Sequence, residues 1–221
     1  MSCFVLILLA LQAPVDEGTL VAHEDTAEVA RESFRLTRGR GEGGSASWTL
    51  ATTARYERRR PMLVLAPILE VARDSQPSSL EFDVANPNAP SRILGQRSHD
   101  RFTVRQIGRG TERAREIPLG GRMVVLDDSV YALYLFVAWA AGPRPAAITA
   151  IVPRAARRDT LTVQDLGPTP TTLRRSPVTL RHVTVLGGPN RQVDLWLDDG
   201  GRLIVVEIPS RRVHVERLPP A

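Results

Sequence analysis

A run of twelve apolar residues, Val130 to Ala141 (VYALYLFVAWAA), constrains this chain more than any other feature. It follows Asp127-Asp128-Ser129 and stops at Gly142-Pro143. Crossing a bilayer takes about 20 apolar residues, so a run of this length predicts a helix that is buried within protein. We expect one buried α-helix over about residues 129–141, capped by one of those three polar residues and ended by the Gly-Pro pair.

The rest of the chain predicts antiparallel strands, because apolar and polar residues alternate along it with a period of two. Residues 48–56 are an example: Trp48, Leu50 and Tyr56 share one face, and threonine, arginine and glutamate occupy the other. The segments 62–72 and 203–208 are apolar on both faces and are expected to be central strands. Pro67, inside the first of them, predicts a bulge or a sheet edge, since proline cannot donate to a ladder.

Turn signals divide these patterns into about seven strands before the helix and five or six after it. The glycine-rich stretch 38–47 is expected to be a hairpin loop, and Asp199-Gly200-Gly201 predicts a second hairpin. We therefore expect a mainly β fold, in which a strongly curved antiparallel sheet of about 12 strands, a half-open barrel, encloses the helix. No interior stretch resembles a linker, so residues 14–221 are expected to form a single β domain.

The start of the chain resembles a secretory signal peptide. Residues 1–13 (MSCFVLILLALQA) hold an apolar core from Phe4 to Leu11 and are followed by Pro14, Asp16 and Glu17. The segment has no basic residue at its beginning, and a short buried strand or a membrane anchor are the alternatives. Cleavage after Ala13 would leave no integral membrane span and would predict a periplasmic or secreted bacterial protein.

Composition narrows the chemistry further. All 29 basic residues are arginine, and the net charge of +5 could favour anionic partners such as lipid headgroups or nucleic acid. Arginines that alternate along strand faces are, however, expected to be mostly solvated surface. We expect no nucleic-acid partner, because no recognition motif is present and aromatic residues make up only 5% of the chain. The one cysteine, Cys3, lies in the predicted signal peptide, so the mature chain is expected to lack disulfides, thiolate nucleophiles and sulfur-based zinc sites.

Two segments carry a resemblance to a known group of proteins. Residues 18–36 (GTLVAHEDTAEVARESFRL) and 193–217 (VDLWLDDGGRLIVVEIPSRRVHVER) resemble the first hairpin and the closing strands of secreted bacterial β domains of unknown function. Those domains are similar in shape to the half-barrels of periplasmic lipoprotein carriers, and versions of the closing motif accompany transglutaminase-like proteins. The resemblance covers about a fifth of the 221 residues. It rests on seven residues: Trp196, Asp198, Gly201, Arg202, Leu203, Glu207 and Pro209.

The chain departs from this group at Ala30, where the first hairpin of such domains has a glycine. The resemblance implies a cavity that takes acyl chains or an apolar peptide segment, and it transfers no catalytic residue.

Aromatic and large apolar side chains on and around the helix are the candidates for lining such a cavity. The alternative is that they form an ordinary packed core. The ligand-lining candidates are Tyr131, Tyr134, Leu135, Phe136, Trp139, Trp48 and Trp196.

No reactive constellation is evident. Ser98-His99-Asp100 contains the residue types of a catalytic triad, but adjacent residues cannot form a catalytic relay. We interpret this segment as a turn. His23 lies in a charged stretch at a strand end. His182 and His214 could join Glu207 or Asp194 in a metal site only in a suitable register. We therefore expect no catalytic residue, no metal and no cofactor.

The sequence supports a non-catalytic, exported binding protein that holds an apolar small molecule, a lipid or an apolar segment of an envelope partner. A structural or protein-interaction domain with a filled core is the alternative. A hydrolase that uses His99, His182 or His214 is the third possibility.

Overall fold

The computed structural model describes residues 14–40 and 46–219, which form fifteen strands and one α-helix. The predicted signal peptide and the middle of the predicted hairpin loop, residues 41–45, lie outside the described residues. Nine strands precede the helix α1 (Tyr134–Ala140): β1 (Pro14–Glu24), β2 (Ala27–Arg40), β3 (Ala46–Tyr56), β4 (Leu63–Val71), β5 (Pro77–Ala85), β6 (Ser91–Ser98), β7 (Arg101–Gly108), β8 (Thr111–Pro118) and β9 (Met123–Val125). Six follow it: β10 (Ala146–Val152), β11 (Arg157–Leu173), β12 (Ser176–Gly187), β13 (Gln192–Leu197), β14 (Leu203–Ile208) and β15 (Val213–Arg217).

All fifteen strands belong to one sheet, in the order β8-β7-β6-β5-β4-β3-β2-β1-β15-β14-β13-β12-β11-β10-β9. This confirms the predicted mainly β fold with a large, curved and unclosed sheet. The prediction of about 12 strands was too low. β8 has one buried residue, Ile117, and β9 has three residues that are all buried, so neither shows the alternation from which strands were counted. The sheet is antiparallel except between β9 and β10, which run parallel.

The predicted central strands are interior strands, β4 and β14, but the middle of the sheet is β1. Pro67 marks neither an edge nor a bulge: it pairs with Phe82 in an unshifted register. On the other side of β4 the ladder to β3 is interrupted between the pairs Ala51↔Ile68 and Ala54↔Leu65. The missing N–H group of proline therefore costs ladder contacts without changing the register.

The two edges of the sheet are joined by hydrogen bonds from side chains and not by backbone pairing between strands. Gln106 of β7 donates from Nε2 to the carbonyl oxygens of Pro153 and Arg154, at 2.7 and 2.9 Å. Arg115 of β8 donates to the carbonyl oxygen of Ala156 at 2.5 Å. These bonds bring the β7–β8 edge to the turn that follows β10, so the half-barrel approaches closure without pairing its last strands.

The apolar run is helical only in its second half. Val130 forms an isolated bridge with Asp127, residues 131–133 form a turn, and α1 begins at Tyr134. The predicted cap was wrong: the N-cap residue is Leu133, which makes no capping side-chain bond. Asp127 instead accepts a hydrogen bond from the Ser129 backbone N–H at 2.9 Å, and this bond holds the turn before Val130. The end of the helix lies where it was predicted, before Gly142.

Strand register places the C-terminal half of α1 at one end of the sheet. β1 begins and β2 ends there, since Pro14 pairs with Thr37, and Arg38 pairs with Trp48 at the start of β3. Trp139 of α1 contacts Trp48. We call this the Trp139 end of the sheet; Tyr56 and Leu63, where β3 ends and β4 begins, lie at the opposite end. No helix in the described residues is long and apolar enough to cross a membrane.

Candidate functional site

The internal helix packs into the core with one exception. Every residue of α1 is at most 6% exposed except Trp139, which is 39% exposed. Of the predicted lining residues, Tyr131, Tyr134, Leu135 and Phe136 are buried in the cluster of apolar side chains that fills the half-barrel. The helix is therefore enclosed by sheet as expected, and it reaches solvent at its last turn.

Three aromatic side chains meet at that last turn, and we call them the aromatic cluster: Trp48, Phe136 and Trp139. The rings of Trp48 and Trp139 lie 5.1 Å apart between centroids at 63°, and those of Phe136 and Trp139 lie 5.4 Å apart at 89°. Both are edge-to-face contacts, the arrangement that aromatic quadrupoles favour. Trp48 is half-buried, so the cluster forms an apolar surface that is open on one side.

Cationic groups border the aromatic cluster. The guanidinium of Arg38 lies over the Trp48 ring, 5.4 Å from its centroid. Arg122 donates to the carbonyl oxygen of Ala140 at 2.6 Å, and Arg181 donates to that of Ala138 at 3.3 Å. Carbonyl groups in the last turn of a helix lack i+4 partners, so Arg122 satisfies that of Ala140, and Arg181 adds a second bond to that of Ala138, which also accepts from the Ala141 N–H at 3.3 Å. The exposed surface at the last turn of α1 therefore combines aromatic rings with positive charge.

The segment before α1 is held by a buried carboxylate. Glu32 of β2 is 1% exposed and accepts hydrogen bonds from the backbone N–H groups of Tyr131 at 2.7 Å and Ala132 at 3.0 Å. It also accepts one from the Thr52 hydroxyl at 2.6 Å. Burial raises the pKa of Glu32 to about 7, although all three hydrogen bonds favour its charged form.

Buried hydroxyl groups continue this polar region. The Tyr56 hydroxyl donates to the Ser129 carbonyl oxygen at 2.7 Å and lies 3.5 Å from the hydroxyl oxygen of Tyr131. The side-chain amide of Asn190 donates to the Tyr134 hydroxyl at 3.0 Å. Burial raises the pKa of all three tyrosines, so they stay protonated. Tyr131 and Tyr134 therefore lie in a hydrogen-bond network and not beside the aromatic cluster.

A buried ion pair completes the polar region. Asp127 is 1% exposed and receives two bonds of 2.6 Å from the guanidinium of Arg154. Asp128 pairs with the same guanidinium. Arg211 donates to the Asp128 carbonyl oxygen at 2.6 Å and to the Asn190 side chain at 3.0 Å. We call Glu32, Thr52, Tyr56, Asp127, Tyr131 and Arg154 the polar cluster.

The sequence interpretation missed Glu32, Thr52 and Tyr56. A signal for Glu32 was present, because it stands between Ala30 and Phe34 on the inward face of β2, where alternation calls for an apolar residue. A charged residue in that phase indicates a buried partner. Its partners cannot be recognised from the sequence, because they are two backbone N–H groups about 100 positions further along the chain.

Trp196 lies apart from the helix. It stands on the outer face of β13, where its ring stacks on His182 with centroids 4.1 Å apart and planes at 4°. His182 also contacts Asp194 at 2.9 Å. The structure thus brings Trp48, Phe136 and Trp139 together, places Tyr131, Tyr134 and Leu135 in the packed interior, and leaves Trp196 on the opposite side of the sheet.

The histidines form no metal site in the part of the chain that the structure describes. His214 lies 3.6 Å from Glu207, whose carboxylate raises the pKa of the imidazole. His99 occupies the predicted turn between β6 and β7 with a positive φ of 49°, and its Nδ1 lies 3.3 Å from the Ser98 hydroxyl. Asp100 instead contacts Arg101 at 3.5 Å, so these three residues do not form a relay.

Four of the hollows on the surface of the described residues are among the best formed. They are lined by β1 to β8, by the loops between these strands and by Arg154. None of the four is lined by a residue of α1. The apolar surface that the helix exposes is that of Trp139 in the aromatic cluster, since the other residues of α1 are buried.

Comparison with known proteins supports the fold and does not assign a function. No family model matches the sequence, and no curated protein matches it. Among solved structures, the chain is similar to a β-barrel-like protein of the domain of unknown function DUF1849 from Brucella abortus. The TM-score is 0.52 at 9% sequence identity, and the match covers 91% of this chain and 94% of that chain. This similarity agrees with the resemblance to bacterial β domains of unknown function and indicates no enzyme family.

Proposed function

We propose that this protein is an exported, non-catalytic bacterial binding protein that holds an acyl chain of a lipid against the aromatic cluster. The observation that carries the proposal is the exposure of Trp139 on a helix that is otherwise buried. Together with Trp48 and Phe136, which it contacts, Trp139 forms an apolar surface. The free energy of the system falls when a ligand removes such a surface from water.

The charge beside this surface fits an amphiphile. The Arg38 guanidinium over Trp48 could meet a carboxylate or phosphate head while the acyl chain lies on the rings. An ionised head and an apolar tail then contact neighbouring groups of matching character. The export of the protein and its place in the bacterial envelope are part of the proposal and rest on the apolar residues 4–11 of the sequence.

A second candidate is supported by the packing of the interior. Tyr131, Tyr134, Leu135 and Phe136 are each at most 6% exposed, and such burial is typical of a filled core. In that case the protein is an interaction domain without a small ligand, and the aromatic cluster contacts another protein.

Uptake of the apolar fluorescent dye N-phenylnaphthylamine by the full chain separates the two. We expect saturable binding of one dye per chain, displaced by a long-chain fatty acid. The double variant Trp48→Leu/Trp139→Leu should bind about tenfold more weakly, since most of the aromatic contact area is lost. Trp196→Leu is the matched control, because it removes an indole from the outer face and should bind as the parent does.

Circular dichroism shows whether each variant is folded. Absence of saturable uptake, or equal weakening by Trp196→Leu, would overturn the acyl-chain proposal, and absent uptake by the folded parent protein would favour the interaction domain.

A further inference from the structure

Exposed apolar side chains concentrate at the Trp139 end of the sheet. Seven large apolar side chains are exposed among the described residues. Four of them lie at this end: Val15 (56%), Trp139 (39%), Leu166 (48%) and Leu218 (39%). Of the other three, Met62 and Leu186 lie at the opposite end, and Ile68 lies on the outer face of β4. Isolated exposed apolar residues are ordinary, but a set gathered at one end indicates a contact surface.

Hydrogen bonds and register fix these positions. Val15 is the second residue of β1, whose first residue pairs with Thr37. The Leu218 N–H donates to the Thr19 carbonyl oxygen at 2.8 Å, so Leu218 follows the end of β15 beside the middle of β1, on the side of the sheet where β14 begins. Leu166 follows Asp165, whose N–H donates at 2.8 Å to the carbonyl oxygen of Gly142, just beyond α1. The four side chains therefore lie toward the same end of the sheet as the aromatic cluster.

Positive charge accompanies this apolar surface. Arg38, Arg73, Arg122 and Arg144 are exposed at the Trp139 end, and none of them forms an ion pair with a carboxylate in the residues that the structure describes. Arg73 follows β4, and Arg144 follows the end of α1. By contrast, Arg181 and Arg217 at the same end are held by Asp165 and Asp16. Three of these arginines, Arg38, Arg73 and Arg144, are thus available to an anionic partner, and Arg122 adds positive charge while it donates to the Ala140 carbonyl oxygen.

We propose that the Trp139 end of the sheet docks on the surface of an anionic lipid bilayer. Apolar and indole side chains enter the headgroup region, where tryptophan is favoured, and the arginine guanidinium groups contact lipid phosphates. Each arginine near an anionic surface adds to the attraction, and its aliphatic stem covers apolar surface. This contact does not require an acyl chain to be held by the aromatic cluster.

Co-sedimentation of the full chain with lipid vesicles tests the proposal. We expect binding to vesicles of phosphatidylcholine with about one third phosphatidylglycerol, and about tenfold weaker binding to phosphatidylcholine alone. Val15→Asp/Leu218→Asp should weaken binding to the anionic vesicles by about tenfold or more. Met62→Asp/Leu186→Asp is the matched control: it adds the same charge on similarly exposed residues at the opposite end and keeps residues 1–13.

A second pair of variants tests the electrostatic part. Arg73→Ser/Arg144→Ser should weaken binding to anionic vesicles by about tenfold, and Arg58→Ser/Arg113→Ser, which removes the same charge elsewhere, should have a much smaller effect. Equal effects of the two ends in both comparisons would overturn the proposal and would assign vesicle binding to residues 1–13 or to net charge. Dye uptake measured on the same variants separates this outcome from failure of the proposed acyl-chain binding, which depends on Trp48 and Trp139.

Discussion

The polar cluster and the aromatic cluster hold the two halves of one apolar run by different means. Before α1, the backbone of Tyr131 and Ala132 is fixed by hydrogen bonds to a carboxylate that is 1% exposed. At the end of α1, Trp139 is fixed by edge contacts with two rings and remains 39% exposed. The comparison teaches that the first half is bound to the sheet by directional bonds that need burial, whereas the second half is held by contacts that tolerate solvent and leave a surface open for binding.

Removing the buried carboxylate should give the largest effect. Glu32→Ala leaves two backbone N–H groups and the Thr52 hydroxyl without their acceptor in the core, so we expect the free energy of unfolding to fall by about 4 kcal/mol. Glu32→Gln should cost about 2 kcal/mol, because one of its amide atoms is a donor that faces another donor. Urea unfolding at pH 8.5, where Glu32 with its pKa of about 7 is ionised, measures both.

Glu28→Ala is the control for this prediction. Glu28 lies on the same strand as Glu32, but its ion pair with Arg31 is on the surface, and such pairs contribute little to stability. A loss in Glu32→Ala no larger than in Glu28→Ala would show that the polar cluster does not anchor the segment before α1.

Breaking the buried ion pair of the polar cluster should rank second. Arg154→Met leaves Asp127 buried without a cation, and we expect a loss of about 3 kcal/mol in the free energy of unfolding. Adding Asp127→Asn to that variant should recover part of the loss, since asparagine keeps an oxygen for the Ser129 N–H and carries no charge. Arg157→Met, which removes a surface partner of Asp159, should leave stability nearly unchanged. A similar loss of stability in Arg154→Met and Arg157→Met would show that the buried ion pair contributes no more than the surface pair.

The stability of the polar cluster should depend on pH. The pKa of Glu32 is raised from 4.5 to about 7, so its protonated form is favoured by folding, and the stability it provides is greatest below pH 4.5 and is lost as the pH rises through 7. We expect the free energy of unfolding to fall by about 2 kcal/mol from this group between pH 5.5 and pH 8.5. Urea unfolding across that range should show the slope in the parent and little of it in Glu32→Gln.

His214 acts in the same direction, because Glu207 raises its pKa and its contribution is also lost as the pH rises. Asp127, whose pKa is raised by burial, shares this sign. The same urea unfolding series should therefore also be measured on His214→Gln and Asp127→Asn. A slope that survives in Glu32→Gln and disappears in His214→Gln would assign the pH dependence to the outer face of the sheet.

The sequence predicted local elements, such as strands and a hairpin, better than it predicted the pairing of distant segments. Alternation in residues 48–56, apolar runs such as 203–208 and the glycine signal at 199–201 identified strands and a hairpin, since each depends on local pattern. β9 was not recognised because three buried residues have no period, and its parallel pairing with β10 joins distant segments. The acceptor for the Tyr131 N–H lies 99 positions away in the sequence, so local capping rules suggested Asp127, Asp128 or Ser129 instead. The aromatic residues of the helix were named from the sequence as ligand-lining candidates, which stays a prediction, and their separation into two clusters required the structure.

Truncating the aromatic cluster should have the smallest effect on stability and a large effect on binding. Trp139→Ala removes two edge contacts of a partly exposed ring, so the free energy of unfolding should fall by only about 1 kcal/mol, a quarter of the loss in Glu32→Ala. Dye uptake should nevertheless weaken, because Trp139 supplies the exposed part of the apolar surface. Trp196→Ala is the control, since it removes an indole that stacks on His182 on the outer face and should leave dye uptake unchanged. If Trp139→Ala destabilised the protein as strongly as Glu32→Ala, the end of α1 would be an anchored part of the core, and the difference between the two clusters from which the binding proposal starts would be lost.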